Sequence, residues 1–151
     1  MDNEFCDKNI ASAILAKAGV ADCDAAALSP LTLAYIGDCV YELIVRTIVV
    51  GTAERTVNTM HKHTCRYVNA TSQREIAETI TPKLTETELS VMRRGRNAKS
   101  HSVAKHASVA DYRHATGFEA LCGYWFLTGQ NSRMLELITG AMREFDGDRT
   151  E

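Results

Sequence analysis

Two carboxylates stand where core residues would be expected. Asp38 lies in Leu33-Ala34-Tyr35-Ile36-Gly37-Asp38-Cys39-Val40-Tyr41-Glu42-Leu43, and Glu119 in Thr116-Gly117-Phe118-Glu119-Ala120-Leu121-Cys122-Gly123-Tyr124-Trp125. Wound into helices, both stretches are apolar nearly all round. An ionised carboxylate among such neighbours is costly unless it meets a cation, a donor or water. Two of them on separate apolar helices suggest a shared divalent cation. Mg²⁺ is commonly held by one or two carboxylates plus waters and substrate phosphate oxygens. There it would activate water and stabilise charge in phosphodiester hydrolysis. The plainer outcome, a carboxylate that is salt-bridged or faces solvent, is the commoner one for any single such residue. Glu42 illustrates it: Arg46 lies four residues on, the spacing of a helical ion pair, which gives Glu42 a structural or supporting role beside Asp38.

A second group of residues could meet phosphates. Between Glu88 and Asp111 no acidic residue occurs, while Arg93, Arg94, Arg96, Lys99 and Lys105 all fall there, with Asn97 and Ser100 as further donors. Without those five cations the net charge of -2 becomes about -7 for the remainder. Arg93 and Arg94 at a helix end could simply complement its dipole, but the cations continue beyond it. The segment has no aromatic platform for stacking single-stranded bases. A duplex read through its backbone and groove shape suits it better. The plainer alternative is a solvated basic loop.

These groups need elements to hold them, and the pattern predicts helices throughout. Asn9–Ala18 reads as a short amphipathic helix stopped by Gly19, followed by a loop through Asp24. Ser29-Pro30 opens a long helix to about Val50, with Ser at the N-cap and Pro at the first helical position. Glu54 to Ile80 reads as two helices, or one broken near Asn69. Thr85-Glu86-Thr87-Glu88 is a capping box for a helix that closes at Arg94-Gly95. Arg96 to Ser108 reads as a loop, and Val109–Leu127 as the second apolar helix. Asn131 caps a last helix striped with Met134, Leu135, Ile138, Met142 and Phe145. Gly37 and Gly123 each weaken a helix interior by roughly 1 kcal/mol relative to Ala. Close approach of the two apolar helices would explain them, and would bring Asp38 and Glu119 together from roughly 80 positions apart.

At 151 residues and 45% hydrophobic, the chain suits one all-α domain with a sizeable core. The acidic N-terminus argues against a signal peptide, and Asp38, Glu42 and Arg46 interrupt Leu31–Val50 too heavily for a membrane span. A cytoplasmic protein is expected. Its five scattered cysteines are expected as reduced thiols, mostly small core residues. His61, His63 and Cys65 alternate, so on a helix they share no face for zinc.

The chain also resembles the catalytic domains of the ribonuclease III family. Tyr35-Ile36-Gly37-Asp38-Cys39-Val40-Tyr41-Glu42 looks like their signature helix, and Phe118-Glu119-Ala120-Leu121-Cys122-Gly123-Tyr124 like their second acidic motif. With Arg93-Arg94-Gly95-Arg96-Asn97-Ala98-Lys99 and Tyr112-Arg113, the combination is most similar to the Mini-ribonuclease III branch, which lacks a double-stranded-RNA-binding domain. The resemblance covers about residues 28–146 of a single 1–151 unit. It implies a ribonuclease III-like helical bundle acting as a homodimer, without membrane association. It implies cleavage of double-stranded RNA to 5′-phosphate products with Mg²⁺, or Mn²⁺ in its place. It further implies maturation of both the 5′ and 3′ ends of 23S rRNA precursor, with a ribosomal protein as an eventual cofactor.

Asp38 and Glu119 match the family's metal-binding, catalytic acids. Other positions where the general family pattern carries acids fall at Leu31, Ala34 and Thr116, which implies a leaner metal site with Glu42 and Thr116 in supporting roles. Arg93, Arg94, Arg96, Asn97, Lys99, Ser100 and Lys105 are the expected RNA contacts. The competing readings are a non-catalytic dimeric RNA-binding or assembly protein on the same fold, and a helical metal protein acting on a small phosphorylated substrate. The absence of a phosphate-cradling Gly-rich loop weighs against the last.

Overall fold

A computed structural model of the chain describes residues 9–52, 56–98 and 108–150, the side chains of 149 and 150 excepted. Among these residues there are seven α-helices and no strand. Helix α1 (Ile10–Lys17) is capped by the Asn9 side chain, which accepts from the Ser12 amide. The chain leaves it through Gly19 at φ +71, a left-handed backbone that favours glycine. The predicted loop that follows contains a short 3-10 turn, Ala25–Ala27, capped by Asp24.

Helix α2 (Pro30–Val50) starts as its sequence dictates, with Ser29 accepting from the Thr32 amide and Pro30 in the first turn. Helices α3 (Val57–Val68) and α4 (Ala70–Ile80) meet at Asn69. Its side chain accepts from the Ser72 amide to open α4 and donates to the Cys65 carbonyl to close α3. The break near Asn69 is therefore made by one residue serving two helix ends. Helix α5 (Glu86–Asn97) carries the predicted capping box, and α6 (Val109–Leu127) and α7 (Asn131–Thr150) follow.

Helix α6 is the hub, packed against α2, α5 and α4 in decreasing extent. Tyr41, Val45, Ile76, Ile80, Phe118, Leu121, Trp125 and Ile138 fill the core between them. The glycines explain how close α2 and α6 come. A Cβ on Gly37 would collide with the Glu119 carbonyl, and one on Gly123 with the Leu33 carbonyl. The two backbones are thus in direct contact, as the glycine pattern suggested.

Three expectations need correction. Helix α5 does not close at Arg94-Gly95 but runs on to Asn97. Gly95 is a packing residue, because its Cβ would sit 2.8 Å from the Gly117 Cα and 2.9 Å from the Ala120 Cβ. Arg96 and Asn97 are consequently helical, not part of a loop. Asn131 is the first residue of α7 rather than its cap, a shift of one position. The cysteines are not mostly core residues: of the four described, Cys23, Cys39 and Cys65 are exposed and only Cys122 is buried. Helix α2 has an apolar outer face, and Cys39 belongs to it.

Candidate active site

The contact between α2 and α6 sets the two predicted acids across one open groove of about 350 Å³. Asp38, Cys39 and Glu42 of α2 line one side, and Tyr112, Thr116 and Glu119 of α6 the other. Among the described residues neither acid pairs with a cationic side chain, whereas Glu42 meets Arg46 at 3.1 Å. Burial, and then the Asp38 charge, push the Glu119 carboxyl up to about 8, while a hydrogen bond from Gln73 acts weakly the other way. Partial burial raises Asp38 as well, helped by the neighbouring Glu42 carboxylate. Two carboxylates so placed cannot both ionise cheaply, and a divalent cation between them removes the conflict.

The donor chemistry fits a hard cation that keeps much of its water. Among the described residues no cluster of three or more His, Cys, Asp or Glu could cage a metal. Two carboxylates on an open groove are what Mg²⁺ or Mn²⁺ needs from a protein when phosphate oxygens supply the rest. Thr116 is buried and its hydroxyl donates to the Tyr112 carbonyl at 3.0 Å, so it shapes the wall beside Glu119. Leu31 and Ala34 line the same groove. The three positions where acids are missing from the sequence pattern are therefore gathered around the two acids that remain.

Residues 31–130 match the Ribonuclease III domain family. The chain is 49% identical over 114 residues to the Mini-ribonuclease 3 of Symbiobacterium thermophilum, covering 76% of this chain and 88% of that one. It is 44% identical over 120 residues to the Mini-ribonuclease 3 of Brevibacillus brevis, covering 80% and 90%. The chain belongs to the ribonuclease III family, in its Mini-ribonuclease III branch. A crystal structure of a Fusobacterium nucleatum protein shares the fold at a TM-score of 0.71 and 26% identity, over 78% of this chain and 94% of that one. As a family member the protein is an endoribonuclease, and the ribonuclease III family is divalent-metal dependent.

The basic residues are less unified than the sequence suggested. Arg94 and Asn97 are exposed on the last turns of α5. Arg93 and Arg96 instead line a separate groove of about 390 Å³, with Ala77, Glu78, Pro82, Met92 and His114. His114 and Glu119 are five residues apart, or about 140° around the axis of α6. That groove therefore opens on the far side of α6 from the acids. Lys99, Ser100 and Lys105 lie outside the described residues.

Sequence reasoning passed over Gln73. It lies on the inner stripe of α4 with Ile76, Ala77 and Ile80, at the i, i+3, i+4, i+7 spacing of a buried face, and a glutamine in such a stripe was the available signal. No helix among the described residues is long and apolar enough to cross a membrane.

Proposed function

We propose that this endoribonuclease cuts double-stranded RNA with Mg²⁺, or Mn²⁺ in its place, acting as a cytoplasmic homodimer in which the whole chain forms one catalytic unit per protomer. The observation that carries the reading is the pair of raised-pKa acids, Asp38 and Glu119, sharing one groove. A bound cation would supply Lewis acidity and an activated water for hydrolysis of a phosphodiester to a 5′-phosphate and a 3′-hydroxyl. Asp38 and Glu119 hold it, and Glu42 and Thr116 keep the two acids in place. Its most fitting natural substrate is a stem at the 5′ and 3′ ends of 23S rRNA precursor, the role that resemblance to the branch implies, with a ribosomal protein assisting where the stem needs shaping.

The outer face of α2 supports the dimer. Leu31, Tyr35, Cys39 and Leu43 follow one another at four-residue spacing along the edge of the groove, with Tyr35 82% and Leu43 65% exposed. This explains why α2 reads as apolar all round: one side is core, and the other is a surface that a second copy covers. A C₂ pair repeats the groove about a two-fold axis, as the two strands of a duplex require. Arg94, Asn97, Lys99, Ser100 and Lys105 grip the backbone, and Arg93 and Arg96 extend the same positive field.

Long duplex RNA incubated with the protein at low salt, with Mg²⁺ or with chelator, tests the chemistry. Cutting that requires the metal supports it, and intact duplex in both reactions returns the non-catalytic binding protein. Tyr35→Glu with Leu43→Glu should convert the dimer to monomer in light scattering. A dimer that survives both charges places the interface elsewhere.

A further inference from the structure

We propose that the groove walled by α4, α5 and α6, on the far side from the acids, binds a nucleoside phosphate. Arg93, Arg96 and His114 take its phosphates, and an apolar end at Pro82 and Leu89 takes its base. The proposal goes beyond the nuclease reading and uses neither Asp38 nor Glu119.

The groove, of about 390 Å³, is of the size that holds a small ligand. Leu89, Met92, Arg93 and Arg96 line it from α5, at the i, i+3, i+4, i+7 spacing of one helix face. From Leu89 to Arg96 is about two turns, roughly 10 Å along the axis, so this wall passes from apolar to cationic along its length. Pro82 belongs to the 3-10 turn Thr81–Lys83 that leads into α5, and so joins the apolar end. His114 of α6 belongs to the cationic end, where the Arg96 charge acts on it. Burial, and then Arg74 and Arg96, hold the His114 imidazole below its ordinary range, against the opposing pull of Glu78 and Asp111. At neutral pH it is a neutral ring with one N–H to donate. Glu78, the carboxylate among the lining residues, is already engaged by Arg74 at 3.1 Å. Arg93 and Arg96 have no carboxylate partner among the described residues.

Other accounts cover less of the groove. Complementing the dipole of α5 explains cations near its end, but not an apolar wall that leads up to them. A bare inorganic phosphate would engage the guanidinium groups and leave Pro82 and Leu89 uncovered. A duplex laid across the acids meets the opposite side of α6, and an A-form helix offers ribose and phosphate while its bases stay stacked inside. It has nothing apolar to set on this wall. A nucleoside phosphate carries both halves in one small molecule. Its phosphate oxygens suit the fork of a guanidinium, and its flat base suits the apolar end.

The test titrates ADP into the full chain without metal, followed by calorimetry and by the imidazole resonances. ADP should bind once per protomer, and inorganic phosphate at the same concentration should compete poorly. Arg93→Ala with Arg96→Ala should weaken ADP at least about tenfold, the scale of losing hydrogen bonds between charged groups. Leu89→Asn, at a half-buried position, should weaken it severalfold from the other end. The His114 resonance, identified by its loss in His114→Gln, should titrate at higher pH with ADP bound, because phosphate offsets the Arg74 and Arg96 charges. Absence of ADP binding, or undiminished binding in the folded double-arginine variant, overturns the proposal. So does phosphate that competes as well as ADP itself. Duplex RNA that fully displaces ADP also overturns it and makes the groove part of the duplex track. No metal and no cleavage enter the measurement, so none of these outcomes bears on Asp38 and Glu119.

Discussion

Glu88 and Glu119 are both carboxylates held within the helical body, yet their surroundings drive them in opposite directions. Burial alone would raise Glu88, but hydrogen bonds from Arg133, the Thr85 backbone and Trp125 hold it at about 2. Two Arg133 nitrogens, Nη2 and Nε, donate to it at 2.8 and 2.9 Å, and the Trp125 indole donates at 2.5 Å. Glu119 has burial and a second acid instead, and stands at about 8. Enclosure therefore does not distinguish the carboxylate proposed to hold the metal. The lack of a counter-charge among the described residues does, because a group kept without one is ready to receive it from outside.

Exchange of each acid for its neutral amide should separate the two most sharply. Glu119→Gln should lower duplex cleavage on the order of 10³-fold, the scale of losing a preorganised electrostatic group. It should leave the metal-free protein no less stable, since the native carboxyl is already protonated at neutral pH. Substantial cleavage by this variant would move the chemistry away from Glu119.

Glu88→Gln should do the reverse. Cleavage per folded molecule and Mn²⁺ affinity should change little, while stability falls by about 2–3 kcal/mol. That is below the 3–5 kcal/mol of a fully buried pair, because Arg133 keeps some contact with water. For a chain of this size the drop lowers Tm by roughly 5–10 °C. A thermal melt beside a single-turnover assay checks both halves.

Titration sharpens the contrast further. Without metal, the folded chain keeps the Glu119 proton up to about pH 8, whereas the unfolded chain releases it near 4.5. Stability should therefore decline as pH rises through that window and level off above it. Glu88 contributes stability above about pH 4.5 that is lost as pH falls toward 2. Saturating Mg²⁺ should reverse the first decline, because the ion takes the ionised form. Urea melts at several pH values, with and without Mg²⁺, read this directly. A metal-free profile identical in wild type and Glu119→Gln would refute the assignment.

The smallest expected effect concerns the basic helix end. Arg94→Ala with Asn97→Ala should weaken duplex binding severalfold and lower the slope of log affinity against log salt by about one, the loss of one phosphate contact. Arg93→Ala with Arg96→Ala, on the far side of α6, should change it less. An equal effect from both pairs would mean that the field of the whole segment matters more than its direction.

Much of this was legible in the chain. Ser29-Pro30, Asn69 and the Thr85–Glu88 box are local signals, and each opened the helix it promised. Asp38 and Glu119 could be paired because Gly37 and Gly123 carry in their own identities the closeness of α2 and α6. What escaped were cases where one residue type serves two ends. Gly95 read as a stop because glycine often ends helices, and only the third dimension shows α6 pressed against it. Glu88 read as a cap and no more, since its other oxygen meets Arg133 and Trp125, partners 45 and 37 positions away. That Arg96 joins Arg93 in the groove on the far side of α6 depends on α5 continuing to Asn97, two residues past Gly95.

Trp125, the single tryptophan of the chain, carries the structural acid's hydrogen bond on a fully enclosed indole. The molecule thus has an optical reporter wired to its scaffold and not to the proposed metal pair. Emission from that indole should follow the opening of α5 from α6 and the acid titration of Glu88, and stay dark to metal loading at Glu119. Fluorescence alone would then tell a variant that has lost its shape from one that has lost only its ion.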